Sequence, residues 1–377
     1  MELLATLIAI GLVLGAILTG CAYLILLERK LSAWMQDRIG PNRVGPFGLL
    51  QPLADGLKFI FKEEIVPGQV DRFLFVVAPC VSVFTSLLAF SVVPFGPVGT
   101  SASGFPDWLR FIIAPQVDIG LVFIFAITSL AVYGIIMGGW ASNNKYSVLG
   151  AMRSSAQVVS YEIPLGLSVL GVALLSGSLN LEEIMNQQAT TGILGWNIWV
   201  QPLACLIFFL SALAESNRLP FDLSECEQEL VGGFHTEYSG MKFAMFFLGE
   251  YTHVVTISFL VSILYFGGWH FPWIATADSA FTGAWIVKIM VLMSKVLACI
   301  VFIMLLRWTL PRFRFDQLMG LAWKVLIPLA MANVVATMVV LQYGWSPAWL
   351  GLFSIGLFVA AGVISIETGT TRRVTSH

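Results

Sequence analysis

The sequence predicts an all-α protein: a polytopic bundle of about nine transmembrane helices forming one integral membrane domain over residues 1–377. Three observations predict it. Of 377 residues, 58% are hydrophobic and only 11% are charged, against about 25% charged in soluble chains, and the mean hydropathy is +0.86. Nine apolar runs meet or approach the roughly 20 helical residues that cross a hydrocarbon core about 30 Å thick. Lysine and arginine are also segregated between alternate loops. Such a chain is not disordered, not a nucleic-acid binder and not an ordinary cytosolic enzyme. Its 12 Trp and 28 Phe suit lipid-facing surfaces and interfacial belts.

The runs are Leu3–Leu27, Phe73–Val93, Ile119–Gly139, Val158–Ser176, Ile198–Leu213, Phe243–Phe266, Trp285–Leu306, Val325–Tyr343 and Trp349–Ile366. The first has no basic flank before it and no small-residue cleavage site after it, so it reads as a retained span. The loop after it carries Arg29, Lys30, Arg38, Arg43, Lys58, Lys62 and Arg72, and the loops after the third, fifth and seventh runs are also basic. The even-numbered loops contain only Arg110. This bias places the odd loops in the cytoplasm and the N-terminus outside. The ninth run brings the tail with Arg372 and Arg373 to the inside.

The first long cytoplasmic loop, residues 28–72, contains the turn-rich tract Gly40-Pro41-Asn42-Arg43-Val44-Gly45-Pro46-Phe47-Gly48. After it, Leu49, Leu50, Leu53, Leu57, Ile60 and Phe61 recur at helical spacing, with Asp55, Lys58, Lys62 and Glu63 on the other face. That pattern predicts an amphipathic helix lying in the membrane interface, either as a plain anchor or as part of a binding site.

A second loop, residues 214–242, is acidic. Asp222, Glu225 and Glu229 fall on one helical face. Asp222 and Glu225 suit a helix cap and its partner, which leaves Glu227, Glu229 and Glu237 unexplained. Like charges packed beside a membrane repel one another and lose hydration, which is the condition for a coupled proton path. A solvated acidic loop is the alternative. Within the spans, Glu162, Glu250, His253, Lys288 and Lys295 are costly unless paired or hydrated. They read as functional groups or as interhelical pairs, and Lys288 could snorkel. The cysteines Cys21, Cys80, Cys205, Cys226 and Cys299 are dispersed and read as buried or half-buried hydrophobes. No nucleotide-binding glycine motif and no cysteine cluster is present, and the scattered histidines show no metal site.

Several of these tracts match a known pattern. Glu28-Arg29-Lys30, Gln36, Arg38, Gly40-Pro41-Asn42 and Leu50-Gln51-Pro52-x-Ala54-Asp55 resemble the first cytoplasmic loop of one membrane component of proton-pumping NADH:quinone oxidoreductase, respiratory complex I. That component is the bacterial H-type subunit, whose mitochondrial counterpart is NADH dehydrogenase subunit 1. Further likeness lies in Ser160-Tyr161-Glu162, the run from Ala214 through Glu229, Glu237-Tyr238-Ser239-Gly240, Phe246-Phe247-x-x-Glu250-Tyr251 and Pro311-Arg312-Phe313-Arg314-x-Asp316-Gln317-Leu318-Met319, followed by Trp323-Lys324.

The resemblance implies a multi-pass protein of a bacterial plasma (inner) membrane that helps form a quinone chamber with hydrophilic partner subunits. It also implies neighbouring membrane subunits and a multisubunit proton-translocating enzyme. By the same resemblance Arg29, Arg38, Gln51, Asp55, Lys58, Phe221 and Asp222 line or brace the chamber. Glu162, Glu215, Glu225, Glu227, Glu229, Glu237 and Glu250 belong to the acidic path. Quinone is then the substrate, no cofactor or metal belongs to this chain, and FMN and iron–sulfur clusters are expected in partner subunits. Two alternatives are the equivalent component of a membrane-bound hydrogenase or coenzyme F420-linked complex, and a stand-alone secondary transporter. The full first-loop motif favours a quinone over the hydrogenase, and nine spans without internal symmetry disfavour the transporter.

Overall fold

The computed structural model describes residues 2–96, 112–114, 117–189, 192–223, 231–272, 274–275 and 284–374. Glu225, Glu227 and Glu229 lie outside the described residues, as do Arg110 and Cys226. The described α-helices are α1 (Glu2–Met35), α2 (Gln51–Phe61), α3 (Arg72–Leu88), α4 (Gly120–Ala141), α5 (Lys145–Ser176), α6 (Leu181–Gln188), α7 (Asn197–Val200), α8 (Pro202–Glu215), α9 (Gly240–Tyr265), α10 (Ala284–Thr309), α11 (Phe315–Leu321), α12 (Ile327–Gln342) and α13 (Ala348–Val374). A π turn over Ala322–Leu326 joins α11 and α12 into one long rod.

Among the described residues, seven helical segments are long and apolar enough to cross a membrane, and Pro202–Glu215 and Ala348–Ala360 are shorter apolar helices. The bundle is built around α9, in whose apolar stretch 78% of the residues are buried. Close packing there depends on small residues. A Cβ on Gly249 of α9 would lie 2.8 Å from the Ser82 hydroxyl, and one on Gly134 of α4 would lie 3.0 Å from the Ala78 carbonyl. Backbones that approach this closely gain dispersion contacts, the main attraction between helices in lipid.

Helix ends follow local chemistry. Asp71 caps α3 by accepting from the Phe73 and Leu74 amides at 3.1 and 3.3 Å. Asn144 caps α5 through the Tyr146 amide at 3.0 Å. At the far end of α5, Gly177 takes φ +63°, a left-handed conformation that glycine adopts without steric cost.

Three expectations change in detail. Helix α5 begins at Lys145, well before the apolar run that starts at Val158, so Lys145 and Arg153 ride on helix rather than loop. Hydropathy reports contact with lipid, and the helix continues past it. The fifth run is split into the single turn of α7 and the 14-residue α8, the latter about 21 Å long. Its carboxyl end lies inside protein, where Ser216 and Asn217 are buried, and irregular backbone is tolerated at depth in that setting. Cys80 is exposed on the bundle surface rather than buried.

The odd-numbered loops bond to one another, and so do the even-numbered ones. At the odd end the Lys242 ammonium meets Glu64 at 2.9 Å, the Asn144 amide donates to Glu237 at 2.6 Å, and the Phe313 amide donates to the Pro220 carbonyl at 3.4 Å. At the even end Gln188 donates to the Ile263 carbonyl at 2.9 Å and accepts from the Gly267 amide at 3.1 Å. Two separate ends are what alternating spans require.

Lys295 also serves the even end. Its ammonium donates to the carbonyls of Phe266, Gly268 and His270 at 2.7, 2.8 and 2.7 Å and sits 4.5 Å from the Trp196 ring centroid. This is a three-pronged tie on the segment that follows α9. Lys295→Met leaves three carbonyls without that donor. The expected cost is about 3 kcal/mol, read as a lower thermal midpoint of the purified protein and faster proteolysis at the even end.

His270 makes this end acid-sensitive. Burial, with Lys288 and Lys295 adding to it, pushes its imidazole down to about 4 from an ordinary 6.5. The unfolded chain takes up this proton as pH falls past 6.5, whereas the folded chain does so only near 4. Stability therefore falls across that window. The thermal midpoint is expected to drop between neutral pH and about pH 5, and His270→Asn is expected to reduce that drop.

Candidate functional site

Four cavities lie in sequence from the odd end of the bundle toward the even end, and shared side chains link each to the next. The first is a groove of about 230 Å³ between α1, α2 and α9. Its walls are mainly apolar, with Ile25, Leu26, Phe59 and Leu248 among them, and its polar groups are Gln51, Asp55 and Tyr251. Helix α2 starts with Pro52 in its first turn, where a missing N–H costs nothing. Its apolar residues Leu53, Leu57, Ile60 and Phe61 are exposed, as in a helix laid on an interface, while Asp55 faces inward. The Asp55 carboxylate accepts from Arg29 at 2.7 Å and Gln51 at 3.2 Å, and Lys58 stands 3.8 Å away.

Tyr251 is shared with the second cavity, of about 320 Å³, lined by Glu28, Arg218, Asp222, Glu250 and Arg307. Glu28 pairs with Arg307 at 2.6 Å and Arg218 at 3.4 Å and accepts from the Tyr251 hydroxyl. The Arg218 guanidinium also lies 4.1 Å from the Tyr251 ring centroid. Burial acts against this cation, but Tyr251, Glu28 and Glu250 outweigh burial and hold its pKa above the ordinary arginine value, so it stays charged. Asp222 pairs with Arg312 at 3.5 Å.

The loop that delivers Arg218 and Asp222 is held by an unexpected residue. Buried Gln157 on α5 donates to the carbonyls of Ala214 and Phe221 at 2.9 and 2.8 Å. Asn217 turns the chain at φ +49°, a left-handed conformation that asparagine tolerates better than most side chains.

Glu250 also faces the third cavity, a neck of about 30 Å³ that Glu215 and His253 line as well. Glu215 in turn opens into the fourth, of about 330 Å³, together with Glu162. Ser129 stands beside Glu162 and Thr128 beside Glu215. The carboxylates of Glu28, Glu250, Glu215 and Glu162 therefore follow one another from cavity to cavity. In water-excluded surroundings, neighbouring charges interact far more strongly than at the surface.

The residues singled out from the sequence fall in different places. Arg29, Gln51, Asp55 and Lys58 form one cluster at the groove, and Asp222 and Glu250 line the charged cavity. Glu162 and Glu215 sit together, while Glu237 bonds to Asn144 at the odd end, apart from these cavities. Arg38 bonds to Gln36 at 2.7 Å in an exposed position, and neither residue is among the cavity linings. Phe221 is 1% exposed, stacked on Phe313 at 5.6 Å and beside Tyr161 at 5.8 Å. It therefore supports the cavity loop from behind. Sequence reasoning misses Glu28, Arg218, Tyr251 and Arg307 as site residues, although Glu28, Arg218 and Tyr251 stand within the family motifs. Their signal is a carboxylate at the very end of an apolar run, opposite arginines placed likewise.

Comparison with known proteins gives the family. The family model described as NADH dehydrogenase matches residues 8–338. The second H-type NADH-quinone oxidoreductase subunit of Koribacter versatilis is 48% identical over 345 residues, 89% of this chain and 96% of the relative. The first H-type subunit of Cytophaga hutchinsonii is 46% identical over 82% of this chain and 89% of its own. NADH-quinone oxidoreductase subunit 8 of Rhodothermus marinus is 44% identical over 86% and 93%. A multi-pass helical bundle whose buried carboxylates and arginines adjoin an apolar groove, matched over most of its length by these relatives, belongs to the NADH dehydrogenase family, with the H-type membrane subunits of NADH-quinone oxidoreductase.

Proposed function

We propose that this chain is the membrane subunit of a proton-translocating NADH:quinone oxidoreductase that helps form the quinone chamber and carries the effect of quinone reduction into the membrane. The observation that supports it most is the continuity of the site. An apolar groove leads past Asp55 and Tyr251 to a charged cavity, and the cavity leads past Glu250 and Glu215 to Glu162. The groove suits an isoprenoid tail, which favours a quinone over the substrates of hydrogenase relatives. NADH oxidation, FMN, the iron–sulfur clusters and the direct proton donors to quinone are assigned to soluble partner subunits, and the acidic path is assigned to this chain and its membrane neighbours. The membrane is proposed to be a bacterial plasma membrane.

The chemistry follows from electrostatics. Reducing a quinone brings negative charge toward Arg29, Arg218 and Arg307, in surroundings of low dielectric. Proton uptake then changes the charge that Glu28 and Glu250 experience, and coupled carboxylates respond as a set. Glu225, Glu227 and Glu229 complete the acidic loop in this reading.

The test is NADH:quinone reductase activity in membranes carrying Asp222→Asn, compared with NADH oxidation by an artificial acceptor that bypasses quinone. The expected outcome is a loss of about tenfold in the quinone reaction, the size of one charge-assisted contact, with the artificial reaction intact. Unchanged quinone reduction in the assembled variant removes Asp222 from the chamber.

A further inference from the structure

Two titratable side chains of α9, Glu250 and His253, are three residues apart and so share one face of the helix. Both line the neck of about 30 Å³, with Glu215 and Asn217 from the end of α8, Thr128 from α4 and Ser82 from α3. A cavity of that size has room for at least one water molecule, and the polar side chains around it can hold one. A core histidine ordinarily needs only a fixed partner. This imidazole instead faces a cavity whose other ionisable walls are two carboxylates, and each of those carboxylates also lines the adjoining cavity on its own side.

We propose that His253 is a proton-relay station between Glu250 and Glu215, so that this chain runs its path as carboxylate, imidazole, carboxylate through a hydrated neck. This rests on the acidic path proposed above and adds a residue to it. Neutral imidazole accepts at one ring nitrogen and donates from the other, which a carboxylate pair separated by a cavity cannot do without an intermediary. A proton leaving the Glu250 carboxyl binds one nitrogen, and the proton on the other nitrogen passes through water to the Glu215 carboxylate. One proton has then moved from Glu250 to Glu215, and the imidazole is neutral before and after. The charged groups that face the ring are Glu250 from its own helix and Glu215 from α8, while α3 and α4 contribute the hydroxyls of Ser82 and Thr128. Arg218 and Glu28 lie beyond Glu250, and Glu162 lies beyond Glu215.

The experiment uses the assembled complex in native membranes carrying His253→Gln, His253→Asn or Glu215→Gln. It measures the ratio of quinone-linked to artificial-acceptor turnover across about pH 4 to 8, a range wide enough for ordinary and for buried imidazoles. Using the ratio cancels any loss of assembly, and His253→Asn serves if the glutamine variant assembles poorly. The expected result is a ratio lowered at least about tenfold in both histidine variants, since acid–base groups contribute a factor of about 100 or more, with the pH dependence flattened. A histidine variant with the wild-type ratio and pH profile, beside a Glu215→Gln complex that has lost quinone-linked turnover, overturns the relay and leaves the acidic path standing. Wild-type behaviour in Glu215→Gln as well overturns the path and the relay together. A lowered ratio with an unchanged pH profile assigns His253 a packing role and overturns the relay.

Discussion

Glu28→Gln is expected to give the largest loss of stability of any single change at this site. The Glu28 side chain is 12% exposed and that of its partner Arg218 is 19% exposed, so both charges are largely withdrawn from water. Breaking a buried pair by removing one partner costs about 3–5 kcal/mol, because the other charge stays buried without it. Glu250 and Tyr251 remain beside Arg218 and offset part of this. The Arg307 arm of the triad is 47% exposed, and exposed pairs contribute about 1 kcal/mol or less. Arg307→Gln should therefore lower the thermal midpoint of the assembled protein far less than Glu28→Gln. Equal shifts in the two variants would show that Arg218 does not depend on Glu28.

Glu215→Gln is expected to behave in the opposite way. Glu215 lies beside Glu162 and opens into two cavities, with no arginine or lysine among the residues lining either one. A buried carboxylate in cavities that hold no cation is costly to charge, and a neutral isostere of the same shape removes that cost. Stability should hold or rise, while proton translocation coupled to quinone reduction falls by at least about an order of magnitude, since proton-transfer groups supply a factor of about 100 or more. Purified complex in proteoliposomes, scored for both thermal midpoint and NADH-driven acidification, separates the two carboxylates. A Glu215→Gln protein that pumps normally would remove this residue from the path.

The contrast between Glu28 and Glu215 also shows what can be read from residues alone. Both are glutamates at the ends of apolar runs, and Glu215 stands out because it opens an acidic stretch. Glu28 stands beside Arg29 and Lys30, so its local setting suggests an ordinary surface charge. Its partners Arg218 and Arg307 are 190 and 279 residues away. The same limit applies to Phe221, which only the family resemblance singled out: nothing beside it in the chain shows that its ring packs against Tyr161 and Phe313. Gln157, a lone amide among small and apolar residues, holds the loop only because α5 and α8 lie side by side.

Helix α2 lies nearer the other extreme. The spacing of Leu53, Leu57, Ile60 and Phe61 gives one apolar face, and Pro52 and the preceding turn tract mark its start within about two residues. Its inward face, where Asp55 meets Arg29, could be anticipated as the side opposite the leucines.

The sequence by itself determined the membrane bundle, the alternation of its ends and the interfacial helix. These depend on hydropathy over tens of residues, on the distribution of Lys and Arg, and on a period of about 3.6 residues, all local properties of the chain. Only the tertiary structure decided which groups each carboxylate meets. Glu28 is met by two arginines from distant loops, whereas Glu250 and Glu215 share a neck with His253. The reason is physical: the cost of a buried charge depends on what stands within a few ångströms of it, and helix packing, rather than any neighbour in the chain, brings those groups there.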